Sequence, residues 1–323
     1  MNTTTNGSSC STQLNPTAEK IGKTFAYCLI FVVSLVGNPF IAITVYNTQT
    51  MRKPINYFIT NMAVSDLLFP IFLFPRNLTG LYVDNQWLIS GPLGQALCKL
   101  VPFLVNVSGA VSIQSLVLIA VDRFGAVVFP LRSPLISSKL CPFFILATWI
   151  VALAVISPYL FAFQTVEHAD GDVSCDRQWS EAFGDSSEVN YFLSGYVVFY
   201  YIPTALLIIL YSIIVIKLKT QKIPGEQSNN AEEQRAKRNR NVLTMAIAIV
   251  LGSLLCWIPY SITYLLLMLD WDRWYCDIRL YYKIAYVVAV SNCAINPCIC
   301  FIFSGNYRQG LKRLLKCFNA AQE

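Results

Sequence analysis

Asp66 stands in an otherwise apolar run, Asn61-Met-Ala-Val-Ser-Asp66-Leu-Leu, and poses the first chemical question of this sequence. A carboxylate at the centre of a membrane-spanning helix costs about 2.5–3.5 kcal/mol on insertion scales, so its presence points to use. Asn38, Ser112, Asn292 and Asn296 fall at comparable depth in other apolar stretches. Amides and a hydroxyl around a carboxylate can hydrate it, keep it protonated or share it with a small cation, sodium being the expected one. Hydrogen-bonding glue between helices is the alternative. Glue needs no carboxylate, which favours an ion or switch site. Asp122-Arg123 is a second charged pair, whose guanidinium can exchange an internal partner for an external one. Enzyme chemistry finds no foothold. His168 is the only histidine, and the sequence holds no zinc-ligand cluster, Ser-His-Asp set or P-loop. Apart from sodium, no cofactor is expected.

These residues need elements that can hold them in an apolar medium. The 323-residue chain is 55% hydrophobic and 13% charged, against about 25% charged in soluble proteins. A helix needs about 20 mostly apolar residues to cross a bilayer. Seven such stretches run over 24–47, 56–82, 95–128, 140–162, 189–218, 239–268 and 279–303. Spanning strands would leave edge groups unsatisfied in lipid, and the alternation of a β-barrel is absent. The expected fold is all-α: a seven-helix transmembrane bundle over 24–303, an outer tail over 1–23 and a short amphipathic helix within 304–323. A transporter would show repeated halves and paired breaks at the midplane, and neither is evident.

Lys and Arg set the orientation. Arg52, Lys53, Arg132, Lys139, Lys217–Lys222, Arg235–Arg240 and Arg308–Lys316 gather on one side when the N-terminus is placed outside. That side is read as cytoplasmic, in a multi-pass plasma-membrane protein whose basic patches meet lipid and protein rather than nucleic acid. Residues 1–22 lack the apolar core of a signal peptide, so the first span is expected to direct insertion. Of 11 cysteines, Cys10, Cys98, Cys175 and Cys276 fall outside, where disulfides persist. Three pairings are open. Joining Cys98 to Cys175 would pin the second outer loop across the bundle mouth and is the expected bond. Cys10–Cys276 is weighed against two free thiols. Asn2 and Asn6 are expected glycosylation sites. The sequons at Asn77 and Asn106 lie within spans and are read as accidental.

Taken in order, these positions resemble the class A, rhodopsin-like G-protein-coupled receptors. The landmarks are Gly37-Asn38, Asp66, Cys98 with Asp122-Arg123-Phe124, Trp149, Pro203 with Tyr211, Cys256-Trp257-Ile258-Pro259, and Asn296-Pro297. The resemblance covers residues 24–317 and implies a receptor that binds a ligand outside and activates a heterotrimeric G protein inside. It implies switch roles for Arg123, Tyr211 and Trp257, hinges at Pro259 and Pro297, and a contact of Leu131 with the G protein. It also implies a surface helix ending at a palmitoylated Cys317. The sequence departs from the family pattern at Cys300, where N-P-x-x-Y has tyrosine, and at Ser253 in place of a phenylalanine. Asn239 replaces an acid that in some members holds the arginine. An altered resting-to-active balance is expected, of unsigned direction.

Amine receptors of this family place an aspartate at the position of Val105, and opsins a lysine at that of Val290, so neither ligand class is expected. The mouth residues are Arg76, Val105, Asn106, Tyr260, Tyr264, Tyr282 and Tyr286. Tyrosine suits peptide contact. The second outer loop carries Glu167, Asp170, Asp172, Asp176, Glu181, Asp185 and Glu188 against Arg177 alone, an acidic funnel for a cationic ligand. A peptide of basic character, as in neuropeptide receptors, is expected. A lipid, nucleotide or amine-like ligand is the alternative.

Overall fold

The computed structural model describes residues 15–83, 86–130, 134–184, 187–220, 230–269 and 271–320, excepting the side chains at 230–239, 268, 269, 271–277, 279 and 315–320. The expectations placed on Asn2, Asn6, Cys10, Leu131, Asn239, Cys276 and Cys317 lie outside the described residues and side chains.

Among the described residues, six helices are long and apolar enough to cross a membrane. They are α1 (Pro16–Asn47), α2 (Pro54–Tyr82), α3 (Gly91–Val128), α4 (Cys141–Ala162), α5 (Ser187–Thr220) and α6 (Asn230–Leu269). A seventh span, α7, consists of Trp271–Val290 and Asn292–Phe303, bent by 47° between them. Helix α8 (Gly305–Ala320) follows. Between α4 and α5 a hairpin of β1 (Phe163–Glu167) and β2 (Val173–Arg177) closes one end of the bundle.

Local chemistry explains most boundaries. Asn15 accepts the Thr17 amide at 3.0 Å, ahead of Pro16 at the first helical position, a standard helix start. α1 therefore begins well before residue 24, in the stretch expected to be tail. In α5 a π-turn spans Val197–Tyr201. Pro203 two residues on has no N–H to give, and such local widening is one way a helix accommodates that loss.

α7 corrects the expectation of a hinge at Pro297. Pro297 lies within the unbroken helical segment Asn292–Phe303, and the 47° break falls at Ser291, whose hydroxyl bonds the Val288 carbonyl at 2.6 Å. A side chain competing for a helix carbonyl is a recognised source of kinks. Pro297 leaves the Cys293 carbonyl without its helical donor; Asn38 supplies one at 2.9 Å from α1. The same pair of helices meets at Gly37, where an added Cβ would fall 2.6 Å from the Pro297 Cβ. Gly37-Asn38 thus fixes α1 against the prolyl segment of α7.

Polar staples tie the centre together. Asn61 on α2 bonds Ser115 on α3 (2.9 Å) and Thr148 on α4 (3.2 Å), and accepts the Trp149 indole N–H (2.9 Å). Ser108 donates to the Ser65 carbonyl at 2.7 Å. In a bilayer such bonds, worth roughly 0.6 kcal/mol each on average, select which helices meet. The largest apolar cluster lies toward the Arg123 end, around Phe58, Ile119, Tyr211, Met245 and Tyr307.

α8 is amphipathic as expected. Tyr307, Gly310, Leu311 and Leu314 turn inward while Arg308, Gln309, Lys312 and Arg313 are exposed. Gly310 admits close docking, since a Cβ there would lie 2.2 Å from Thr44 on α1. Arg308 donates to the Ile302 carbonyl at 2.6 Å, capping the end of α7 where a cation suits the helix dipole.

Candidate functional site

The hairpin forms the lid of the site. β1 and β2 pair antiparallel, Phe163 with Arg177 and Thr165 with Cys175. Gly171, at φ 86°, makes the turn possible. A disulfide and several hydrogen bonds hold the hairpin over the bundle. Cys175 is disulfide-bonded to Cys98 at the start of α3. Gln95 accepts the Thr165 amide at 2.9 Å, and Trp87 donates its amide to the Val173 carbonyl at 2.6 Å. The acids expected to form a funnel divide. Glu167, Asp170, Asp172 and Asp176 are exposed along the hairpin, whereas Glu188 pairs with Arg177 at 2.7 Å.

Beneath the lid is a cavity of about 650 Å³, within the range of ligand sites. Its α6–α7 wall is aromatic. The rings of Tyr260 and Tyr282 lie 5.6 Å apart, those of Tyr260 and Tyr286 5.8 Å, and Tyr264 stacks on Tyr196 at 5.0 Å. All the mouth residues named from the sequence line it: Arg76, Val105, Asn106, Tyr260, Tyr264, Tyr282 and Tyr286. Sequence reasoning missed Asn77, Tyr159, Tyr196 and Tyr200, which line it too. The i,i+4 spacing of Tyr196 and Tyr200 is a signal that could have found that pair. Asn77 accepts the Tyr286 hydroxyl at 3.1 Å, and Asn106 donates to the Pro102 carbonyl at 2.8 Å. Both sit inside helices, as their reading as accidental sequons requires. Lower down, Trp257 meets Phe69 edge-on at 6.5 Å and Tyr260 at 6.2 Å.

The cavity reaches Ser112 and Asn292, and so joins the Asp66 cluster. Asp66 is 3% exposed and accepts the Asn296 amide at 2.8 Å. Ser112 interacts with the carboxylate, and among the described residues Asn292 Oδ1 and Asn296 Oδ1 are buried without hydrogen-bond partners. Asn38 gives its amide N–H groups to Ser34 Oγ and the Cys293 carbonyl, each at 2.9 Å, while its Oδ1 is likewise buried without a partner among the described residues. Ser112 and Asn296 thus meet the carboxylate, with Asn292 one turn before Asn296 on α7.

A deep cavity under a disulfide-pinned hairpin, continuous with a buried carboxylate, sits within a seven-span bundle. The sequence model of the 7 transmembrane receptor (rhodopsin family) matches residues 37–299. The chain belongs to the rhodopsin family of seven-transmembrane receptors. It is 31% identical to the RYamide receptor of Drosophila melanogaster over 90% of this chain, a match that takes in 62% of that protein's length. It is 30% identical to the QRFP-like peptide receptor of Branchiostoma floridae over 94% of this chain and 80% of that one. The human Substance-K receptor is 29% identical over 90% of this chain and 72% of its own.

At the receptor's other end, Arg123 donates to the Asp122 carboxylate through Nε at 3.0 Å and through Nη2 as well. Both are largely buried. Nearby, the Tyr211 hydroxyl is buried without a partner among the described residues. Ser253 lines the cavity with Ile113, and its hydroxyl is likewise buried and unpartnered. These two orphaned hydroxyls lie where the receptor departs from the family pattern.

Proposed function

We propose that this receptor binds an extracellular peptide at the hairpin end and activates a heterotrimeric G protein at the Arg123 end, from the plasma membrane with its N-terminus outside. The single observation that carries the peptide reading is the large tyrosine-walled cavity, roofed by a hairpin whose exposed acids rim the entrance. Relatives named as receptors for peptides support it. Basic ligand residues would meet the acidic rim. The Cys98–Cys175 bond supports the orientation, because disulfides persist on the outer side. Glycosylation at Asn2 and Asn6 and palmitoylation at Cys317 belong to the same proposal. The test is a peptide panel on cells expressing the chain, read by cAMP and calcium, then nucleotide exchange on purified G protein with the active peptide. We expect a peptide-dependent rise in exchange. Peptide binding without exchange by any G-protein subtype would overturn the transducer reading.

A sodium ion at Asp66 is part of this proposal. The donor set fits the group: one buried carboxylate with the Ser112 hydroxyl beside it, and two asparagine oxygens one turn apart on α7 that are buried without partners among the described residues. These are hard oxygen ligands. Asp66 would supply the charge, with Ser112, Asn292 and Asn296 completing the shell. A cation bound only by the folded protein stabilises it by mass action, about 1.4 kcal/mol at ten times Kd. Purified receptor should therefore melt at higher temperature in sodium chloride than in choline chloride. Asp66→Asn should abolish that difference. A sodium effect that survives the substitution would place the ion elsewhere.

A further inference from the structure

The charge inside the cavity runs opposite to the charge at its rim. No aspartate or glutamate lines the cavity among the described residues, and its charged lining consists of Arg76 and Arg177. Arg177 is committed, paired with Glu188 at 2.7 Å and lying 4.4 Å over the Phe192 ring. Arg76 on α2 enters no ion pair among the described residues. The acid nearest to it in effect is Asp176, which is exposed and already accepts the Ser174 hydroxyl. Beside Arg76, the Asn77 amide nitrogen is buried without a hydrogen-bond partner among the described residues, its oxygen being occupied by Tyr286. Two adjacent residues of α2 thus present uncommitted donors to the cavity.

We infer that Arg76, with the Asn77 amide beside it, receives a carboxylate of the bound peptide, so that the ligand carries negative charge inward and its basic residues at the rim. This rests on the reading of the chain as a peptide receptor. A guanidinium offers two parallel N–H donors that match a carboxylate, and such charge-assisted bonds are about twice as strong as neutral ones. A cationic side chain delivered to the same place would face Arg76 with no acid in the lining to offset it.

The test uses two hexapeptide libraries of identical random composition, one ending in free carboxylates and one in carboxamides, passed over the full-length purified receptor. Retained peptides are identified by mass spectrometry. Wild type should enrich peptides bearing a carboxylate, at the C-terminus or in Asp or Glu, at least tenfold over those without. Arg76→Gln should lose that preference, and Arg76→Lys should keep part of it, which guards against a variant that merely fails to fold. Equal enrichment of both classes by wild type would overturn the inference and leave the peptide reading standing. Retention of no peptide by wild type would overturn the peptide reading and the inference with it.

Discussion

Replacing Cys175 with serine should lower the thermal stability of the purified receptor by 2–4 kcal/mol, as about expected for a long disulfide loop, and abolish its response to peptide. The bond closes a separation of 77 residues. Chain entropy alone would put its contribution near an upper bound of about 4.5 kcal/mol. The unfolded reference in a membrane keeps helices α3 and α4 formed, so fewer states are lost and the measured effect should fall below that bound. The hairpin's remaining attachments include the hydrogen bonds of Thr165 to Gln95 and of Trp87 to Val173. At about 1 kcal/mol each, these hold the hairpin near the bundle without fixing its register over the cavity. Arg177, two residues beyond Cys175, would then lose its defined place in the lining. Cys98→Ser should match Cys175→Ser, and the double variant should add nothing, because both remove one interaction. Additive losses in the double variant would show that the two cysteines act separately.

The parts of this receptor that can be read from its sequence are those that hydrocarbon dictates. Length and apolarity mark each span, and an ionisable residue such as Asp66 stands out because lipid makes it costly. Position along a helix does not say which way an amide turns, however. Asn38 shares depth with Asp66 yet serves the Cys293 carbonyl, a partner created by Pro297 from another helix. The bend of α7 is hidden for a similar reason. Proline announces a missing donor, but the helix runs on unbroken where Asn38 replaces it and breaks at Ser291, a residue with no such signature. Charge is the clearest case. Summed over the outer segments, the loops are acidic, and a cationic ligand follows from the sum. The fold sends the hairpin acids outward and turns Arg76 and Arg177 into the cavity. Composition measures the sum; only the fold separates rim from interior.

The departure at Cys300 yields the last prediction, and the packing changes how it must be tested. Restoring the family tyrosine alone should destabilise the receptor. Cys300 is fully buried in the same cluster as Tyr307, which is itself 0% exposed. Adding a phenol ring to a packed core costs about 1–3 kcal/mol. Tyr307 already brings a hydroxyl to this core from α8; it donates to Asn56 at 3.3 Å, and Asn56 holds the Met51 carbonyl at 2.7 Å. The chain therefore keeps a tyrosine at the base of α7, but on the following helix and aimed at the α1–α2 connection. Meanwhile Tyr211 is left with a buried hydroxyl and no partner. Four variants separate these effects, the fourth being Tyr307→Ala alone, which closes the cycle with Cys300→Tyr. Tyr307→Phe should cost about 0.5–1.5 kcal/mol, the usual worth of one hydrogen bond, with packing kept. Cys300→Tyr should cost more and, by distorting the base of α7, change ligand-free nucleotide exchange. Cys300→Tyr with Tyr307→Ala, which vacates a ring's volume, should recover at least half of the stability lost by Cys300→Tyr. Residues sharing one core couple by about 0.5–3 kcal/mol, so the recovery is measurable as non-additivity. A fully additive double variant would mean that the two sites do not share space, and Cys300 would then be a packing residue with no bearing on the switch.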